Sequence, residues 1–271
     1  MINGEKIGVG VVTMNREHLL KKLYNSITSL ELHNIIDEII LVNDGDKIDD
    51  SYLWTELITN PKNLGVGKSK NKALEALMVK NCDHIFLIED DIFVKDPKVF
   101  EKYIEASKVS GIQHFNYSQH GLGNVTHDYN RDPNPRFIVD YKTCKIAFYP
   151  HCVGAFSYYS KKCLETVGFI DEKYYNACEH VDHSYEIIKA GMHPPYWAFA
   201  DIDKSWEYLG DEPWSFQQSS IISSPTAVEN IKRSDEIFKQ KHGHLPTHTP
   251  IASDAEVFKS LKEIRKKYGN I

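Results

Sequence analysis

Three consecutive carboxylates, Glu89-Asp90-Asp91, follow the apolar run His84 to Ile88 (HIFLI). Carboxylates crowded at the end of a buried strand repel one another and cost free energy unless a cation neutralises them. A hard divalent ion with oxygen ligands, Mg2+ or Mn2+, does so while bridging a diphosphate. When a diphosphate is the leaving group, such an ion stabilises the charge that builds on it. The same cluster also reads as a solvated turn or a set of helix N-caps.

Two further clusters bear on the same chemistry. In Asn63-Leu64-Gly65-Val66-Gly67, followed by Lys70-Asn71, two glycines let the backbone approach a phosphate or base. The helix start behind them favours negative charge, and Lys70 adds a cation. This is not the dinucleotide fingerprint, because no third glycine follows at the required spacing. Thr13, Asn15 and Arg16 form another group, with Asp44 after the next apolar run. A carboxylate there can accept a hydrogen bond from a pyrimidine ring N–H, although Asn43 to Asp46 also suit a plain turn.

The elements that would position these clusters alternate. Ile7 to Thr13 and Glu38 to Val42 read as buried strands, and His84 to Ile88 as a third. Leu20, Leu23, Tyr24, Ile27 and Leu30 mark an amphipathic helix between the first two, and Ala73, Leu74, Leu77 and Met78 mark another before the third. Strand–helix–strand repetition predicts an α/β fold with a mostly parallel sheet flanked by helices. Ligands bind at the carboxyl ends of such strands, and all three polar clusters fall there.

The rest of the chain is less regular. Residues 111–140, rich in Gly, Asn, Asp, Pro and His, read as a long loop or irregular hairpin. Phe156 to Tyr159 suit a strand, Lys161 to Val167 a short helix, and Val181 to Ala190 a longer one ended by Gly191. Residues 204–225 suit a flap, and two packing helices follow, marked by Ile231, Ile237 and Phe238, then by Val257, Leu261 and Ile264. A net charge of −6 gives no sign of a nucleic-acid binder. Five cysteines without C-x-x-C spacing suit a reducing cytoplasm rather than a disulfide framework. No leader and no transmembrane run is evident, so action at a membrane would be peripheral.

In this order, VVTMNRE, EIILVNDGD, NLGVGKSKN and HIFLIEDD resemble the donor-binding half of family 2 glycosyltransferases of the GT-A fold. GAFSYYSKKCLETVGFIDEKYYNACEHVDHSYEIIKAG resembles their acceptor-side segment, so the likeness covers about residues 5–192. The resemblance implies a Rossmann-like GT-A domain over 1–225, with donor half to about residue 100 and acceptor half beyond, and a helical extension over 226–271. It implies uracil or ribose contacts from Thr13, Asn15, Arg16 and Asp44, and further nucleotide contacts from Asn63, Gly65, Gly67, Lys70 and Asn71. Asp90 would lie near the ribose. Asp91 would bind the metal, with Glu89 beside it where many members have aspartate. Lys70 stands where arginine is usual, which keeps the charge but loses bidentate pairing.

The main departure is Glu179-His180-Val181-Asp182. The family pattern has Glu-Asp, the aspartate acting as general base on the acceptor hydroxyl. Here His180 fills that slot; a neutral imidazole can serve as a base near neutral pH, and it can equally bind metal or orient the acceptor while another group takes the proton. Asp182 and Glu179 are the alternative bases. His193 and Asp201 are candidates for a further metal ligand, His183 for packing, and Tyr196, Trp197, Trp206 and Trp214 for an acceptor platform. The expected activity is metal-dependent transfer from a UDP-sugar to a hydroxyl of a glycan, lipid-linked glycan, protein or modified nucleobase, with inversion. A nucleotidyltransferase, which should carry its glycine-rich loop directly after the first strand, and a non-catalytic nucleotide- or sugar-binding module are the alternatives.

Overall fold

The computed structural model describes residues 4–48, 54–126, 132–212 and 223–270. The elements run β1 (Ile7–Thr13), α1 (Glu17–Ser29), β2 (Glu38–Asn43), β3 (Glu56–Thr59), α2 (Val66–Val79), β4 (His84–Glu89), β5 (Ile92–Val94), α3 (Lys98–Ser110) and β6 (His114–Asn116). They continue with β7 (Phe137–Asp140), β8 (Lys145–Tyr149), β9 (Phe156–Ser160), α4 (Lys161–Val167), α5 (Glu179–Lys189), β10 (Phe199–Ile202), β11 (Leu209–Asp211), α6 (Ala227–His242) and α7 (Asp254–Tyr268).

The central sheet has the order β3-β2-β1-β4-β9-β6. Its first four strands are parallel, while β9 runs antiparallel to both β4 and β6. From β1 the chain moves outward through β2 and β3, then returns to β4 on the other side of β1. The strand order therefore reverses between β1 and β4, and in open α/β sheets the crevice at such a reversal is where ligands bind. A three-stranded antiparallel sheet (β10-β8-β7) and a β11-β5 pair complete the strands of the described residues.

Strand β1 is buried along its whole length, and its alternation feeds two cores. Ile7, Val9 and Val11 pack with Leu20, Leu23 and Ile27 of α1. On the opposite face Gly8 and Gly10 bring α2 close: a Cβ on Gly10 would lie 2.7 Å from Ala73 Cβ, and one on Gly8 2.6 Å from Leu77. This tight seat fixes α2, and with it Lys70, against the centre of the sheet. Helix α3 ends at Gly111, whose left-handed φ of 80° closes the helix. Helix α7, started by a Ser253/Glu256 capping box, sends Val257, Leu261 and Ile264 into the same core as α1.

The predicted strands and helices are present within a residue or two at their ends. Three features go beyond the pattern. Strand β3 escapes a hydrophobic reading because it is an edge with mostly exposed side chains. Residues 111–140, expected as a long loop or irregular hairpin, contain β6, fully buried in the main sheet, and β7. Part of the expected flap, 204–212, is a short 3-10 turn followed by β11; the part at 213–222 lies outside the described residues. The five cysteines are free thiols. No helix among the described residues is long and apolar enough to cross a membrane.

Candidate active site

At the sheet reversal the carboxyl ends of β1 and β4 lie side by side. Thr13 Oγ1 donates to Asp90 Oδ2 at 2.6 Å. Arg16, just past β1, spans the acidic tip: its guanidinium pairs with Asp90 and reaches Asp91 Oδ2 from Nη1 at 3.0 Å. Burial pushes the Asp90 carboxyl up to about 7 against the opposing pull of Arg16. Arg16, a candidate uracil or ribose contact, is the counter-cation of these two carboxylates. Nothing among the described residues hydrogen-bonds Asp91 Oδ1, although that oxygen is buried. A buried, acceptor-only oxygen left unsatisfied suits a hard cation such as Mg2+ or Mn2+.

Lys70, expected among the nucleotide contacts, lies between two carboxylates. Its Nζ lies 2.7 Å from Glu89 Oε1 and 3.0 Å from Glu179 Oε1, and donates to the Gly154 carbonyl at 3.1 Å. All three ammonium protons are therefore used, in a side chain only 3% exposed. Burial opposes the charge, but the two carboxylates outweigh it and hold the ammonium strongly protonated. Lys70 thus bridges the two carboxylates. It takes one oxygen of Glu89, as Arg16 takes one of Asp91; of the two residues, Asp91 is the one that keeps a buried oxygen without a hydrogen-bond partner among the described residues.

The loop residues expected around the nucleotide largely hold one another. Asp44 accepts from Asn60 Nδ2 (2.7 Å), Leu64 N (2.8 Å) and Gly65 N (2.9 Å), filling three of the about four acceptor sites of a carboxylate. Asn15, in a left-handed conformation (φ 54°), accepts from Asp46 N at 2.7 Å and so ties the loops after β1 and β2 together. Asn63 Oδ1 accepts from Gly65 N and Tyr175 Oη, each at 2.9 Å. Asn71 is engaged by the backbone of Ile170 through both its side-chain atoms.

The glycines, candidates for close approach of a phosphate or base, also meet protein neighbours: a Cβ on Gly65 would lie 2.5 Å from Tyr175, and one on Gly67 2.8 Å from the Tyr174 carbonyl. They let α2 pack against the segment that leads into α5. Sequence reasoning did not single out Gly154, Tyr174 or Tyr175. Only the Gly-Ala-Phe start of β9 offered a signal, since a glycine there admits a close neighbour.

Helix α5 begins at Glu179 after Cys178, which is left-handed (φ 61°). Glu179 and Asp182 occupy its first turn, where the helix dipole favours negative charge, yet they face different partners. His180 Nδ1 lies 3.1 Å from Glu179 Oε1, so His180 joins, through Glu179 and Lys70, the residue preceding Asp90 and Asp91. Burial raises the cost of ionising Glu179, but Lys70 and then His180 outweigh it and hold the carboxyl far below the usual range.

Asp182 is engaged elsewhere. It accepts from Lys241 Nζ and His242 Nε2, each at 2.7 Å, and from Tyr174 Oη at 3.1 Å. Asp182, Glu186 and His242 have ligand-type atoms within 4.8 Å of one another. Lys241 already supplies a cation there, 3.4 Å from Glu186. Asp182 is therefore a latch between α5 and α6, and its oxygens are not free to take an acceptor proton.

Of the remaining candidates, His193, Asp201 and His183 have polar partners within the fold. His193 Nδ1 lies 2.8 Å from the Pro194 carbonyl, and Nε2 accepts from Ala200 N at 3.2 Å, so neither nitrogen is free for a metal. Asp201 accepts from Tyr103 Oη (2.6 Å), Ser118 N (2.9 Å) and Ser205 Oγ (2.7 Å) in the core. His183 packs on Tyr159, with Nε2 3.0 Å from the Gly168 carbonyl. Tyr196 is buried against Trp197 and Phe199, and Trp197 Nε1 donates to Thr249 O at 2.8 Å. Trp206 is half-buried, its carbonyl accepting from Lys95 Nζ. Trp214 lies outside the described residues.

Comparison with known proteins agrees with this architecture. The sequence profile of Glycosyl transferase family 2 matches residues 9–168. An uncharacterized glycosyltransferase of Acanthamoeba polyphaga mimivirus is 30% identical over 256 residues, covering 87% of this chain and 94% of that protein. GalNAc-T7, solved with UDP, GalNAc and Mn2+, superposes with a TM-score of 0.56 at 14% identity; the match covers 99% of this chain and 55% of that one. Glucosyl-3-phosphoglycerate synthase from Mycobacterium tuberculosis, solved with Mn2+, UDP and glucosyl-3-phosphoglycerate, superposes with a TM-score of 0.50 at 12% identity, covering 89% and 81%. With a parallel sheet that reverses at its acidic tip and a family match over more than half its length, the chain belongs to glycosyltransferase family 2 and has the GT-A fold.

Proposed function

We propose that this glycosyltransferase moves a sugar from a UDP-sugar to a hydroxyl acceptor, with inversion, aided by Mn2+ or Mg2+ at Asp91. The observation that carries the reading is the tip of β4, where Asp91 Oδ1 is buried without a hydrogen-bond donor among the described residues, next to a residue tied through Lys70 to the Glu179–His180 pair. The solved GT-A structures with UDP and Mn2+ support the donor and metal classes by analogy.

When bound, the ion would stabilise the charge on the departing diphosphate. The chain's own residues would do the rest. His180 accepts the proton of the acceptor hydroxyl, and the freed oxygen pair forms a bond to the anomeric carbon. The bond to the diphosphate breaks, and its electron pair leaves with UDP. Attack opposite the leaving group inverts the centre. With Asp182 latched to α6 and Glu179 held by Lys70, His180 is the candidate base with an exposed surface, at 25% of its side chain.

The test is UDP release from a panel of UDP-sugars in the presence of Mn2+, for the wild type and for Asp91→Ala. Loss of both transfer and donor hydrolysis in a variant that still melts cooperatively is expected. Full activity in Asp91→Ala would remove the metal from the account, and absence of UDP release by the wild type with every donor would leave a binding module.

A further inference from the structure

An imidazole base poses a problem that a carboxylate base does not. The two oxygens of a carboxylate are equivalent, whereas a neutral imidazole has one N–H and one lone pair, and only the nitrogen without the proton can accept. A histidine that takes a proton from an acceptor must therefore be held in one tautomer and one ring orientation. Groups around His180 meet both requirements.

We propose that Glu179 and Lys70 are positioning residues that hold the His180 proton on Nδ1, leaving the Nε2 lone pair free to take the acceptor's hydroxyl proton. The proposal rests on the reading of His180 as the base. Glu179 Oε1 is 3.1 Å from His180 Nδ1 and 3.0 Å from Lys70 Nζ. An ionised carboxylate only accepts hydrogen bonds, so the nitrogen facing it must carry the proton. Lys70, itself fully engaged, favours that ionised form in a buried setting.

The ring's orientation is set by Gly154. A Cβ there would lie 2.7 Å from His180 Cγ and 2.8 Å from Nδ1, so the imidazole rests directly on glycine backbone. The carbonyl of the same Gly154 accepts from Lys70 Nζ at 3.1 Å. One glycine therefore anchors the ammonium and forms the wall behind the imidazole. During transfer the acceptor O–H bond breaks and its proton joins Nε2. The resulting imidazolium keeps its Nδ1–H on Glu179, whose negative charge offsets the new positive one. When the proton leaves Nε2 after product release, the same tautomer is restored.

The tautomer is measurable without any assay of activity. Long-range 1H–15N correlation on histidine-labelled protein, with His180→Ala used to assign the signal, should show His180 with a protonated Nδ1 and a bare Nε2 in the wild type. Glu179→Leu, which removes the acceptor, should shift His180 towards the Nε2–H form. It should lower kcat by about 10²–10⁴-fold, the range for a general base, with little change in donor KM. Glu179→Gln keeps an acceptor oxygen, so it should retain the Nδ1–H tautomer and lose less activity than Glu179→Leu. An Nε2–H tautomer in the wild type would overturn the proposal, and so would an unchanged tautomer in Glu179→Leu. Should Glu179→Leu fail to fold, the wild-type and Glu179→Gln spectra still decide. Full turnover by His180→Ala would instead refute the base assignment, an outcome distinct from the tautomer result.

Discussion

Replacing Lys70 with methionine removes one charge and leaves two. The ammonium lies in the interior with contacts of 2.7 Å to Glu89 and 3.0 Å to Glu179, and its third proton is on the Gly154 carbonyl. Methionine fills a similar volume but donates nothing, so two carboxylates are left facing each other without a cation. Breaking a buried ion pair by deleting one partner costs about 3–5 kcal/mol. For a domain of this size each kcal/mol lowers the melting temperature by about 2–4 °C, so a fall of about 6–20 °C is expected. The assay is thermal unfolding followed by circular dichroism, in chelator so that no metal substitutes for the ammonium.

The pH dependence supplies an independent check. Glu179 is held below the ordinary carboxylate range in the folded wild type, burial being outweighed by Lys70 and His180. A depressed folded pKa contributes stability above the unfolded value, and that contribution is lost as pH falls through the folded one. The gap between wild type and Lys70→Met should therefore be widest near neutral pH and narrow as pH falls below the ordinary glutamate value of about 4.3, where the contribution of Glu179 is lost. Adding Glu179→Gln to Lys70→Met should restore part of the loss, because one of the two uncompensated charges is removed. A melting temperature for Lys70→Met within about 2 °C of wild type at neutral pH would refute the bridge, because that is less than 1 kcal/mol by the same scale.

Arg16→Gln removes the guanidinium that pairs with Asp90 and Asp91 and should tighten binding of Mn2+ alone by about tenfold, or about 1.4 kcal/mol. Electron paramagnetic resonance of free Mn2+ measures this, and unchanged or weaker binding would count against a competing cation. Gly154→Ala places a methyl 2.7 Å from the His180 ring; kcat should fall with donor KM retained, and steady-state kinetics at saturating donor reads the difference. Asp182→Asn weakens the latch to Lys241 and His242. Amide hydrogen exchange along α6 should accelerate there while the central sheet stays protected, and uniform acceleration would contradict a local latch.

The order of strands and helices was legible because it is written in short-range periodicity. Ile7–Thr13 and Glu38–Asn43 are apolar runs, and α1 repeats Leu20, Leu23 and Ile27 at helical spacing. The place of the candidate site was also read from the sequence, since parallel strands put their carboxyl ends on one side and Glu89-Asp90-Asp91 ends the third run. Elements whose burial is not periodic escaped this reading, as the exposed edge β3 and the short buried β6 illustrate.

Which charge meets which was decided only by the tertiary structure. Lys70 and Glu179 are 109 residues apart, Arg16 and Asp91 75, and Asp182 and Lys241 59. Local spacing can say that Lys70 follows a glycine-rich turn. It cannot say that the close seat of α2 on Gly8 and Gly10 carries that ammonium between two carboxylates. A hydrophobic period reports which side of an element is buried, whereas pairing between buried charges depends on how separate elements stack. The residue types at the site therefore come from the chain, and their division of labour comes from the packing.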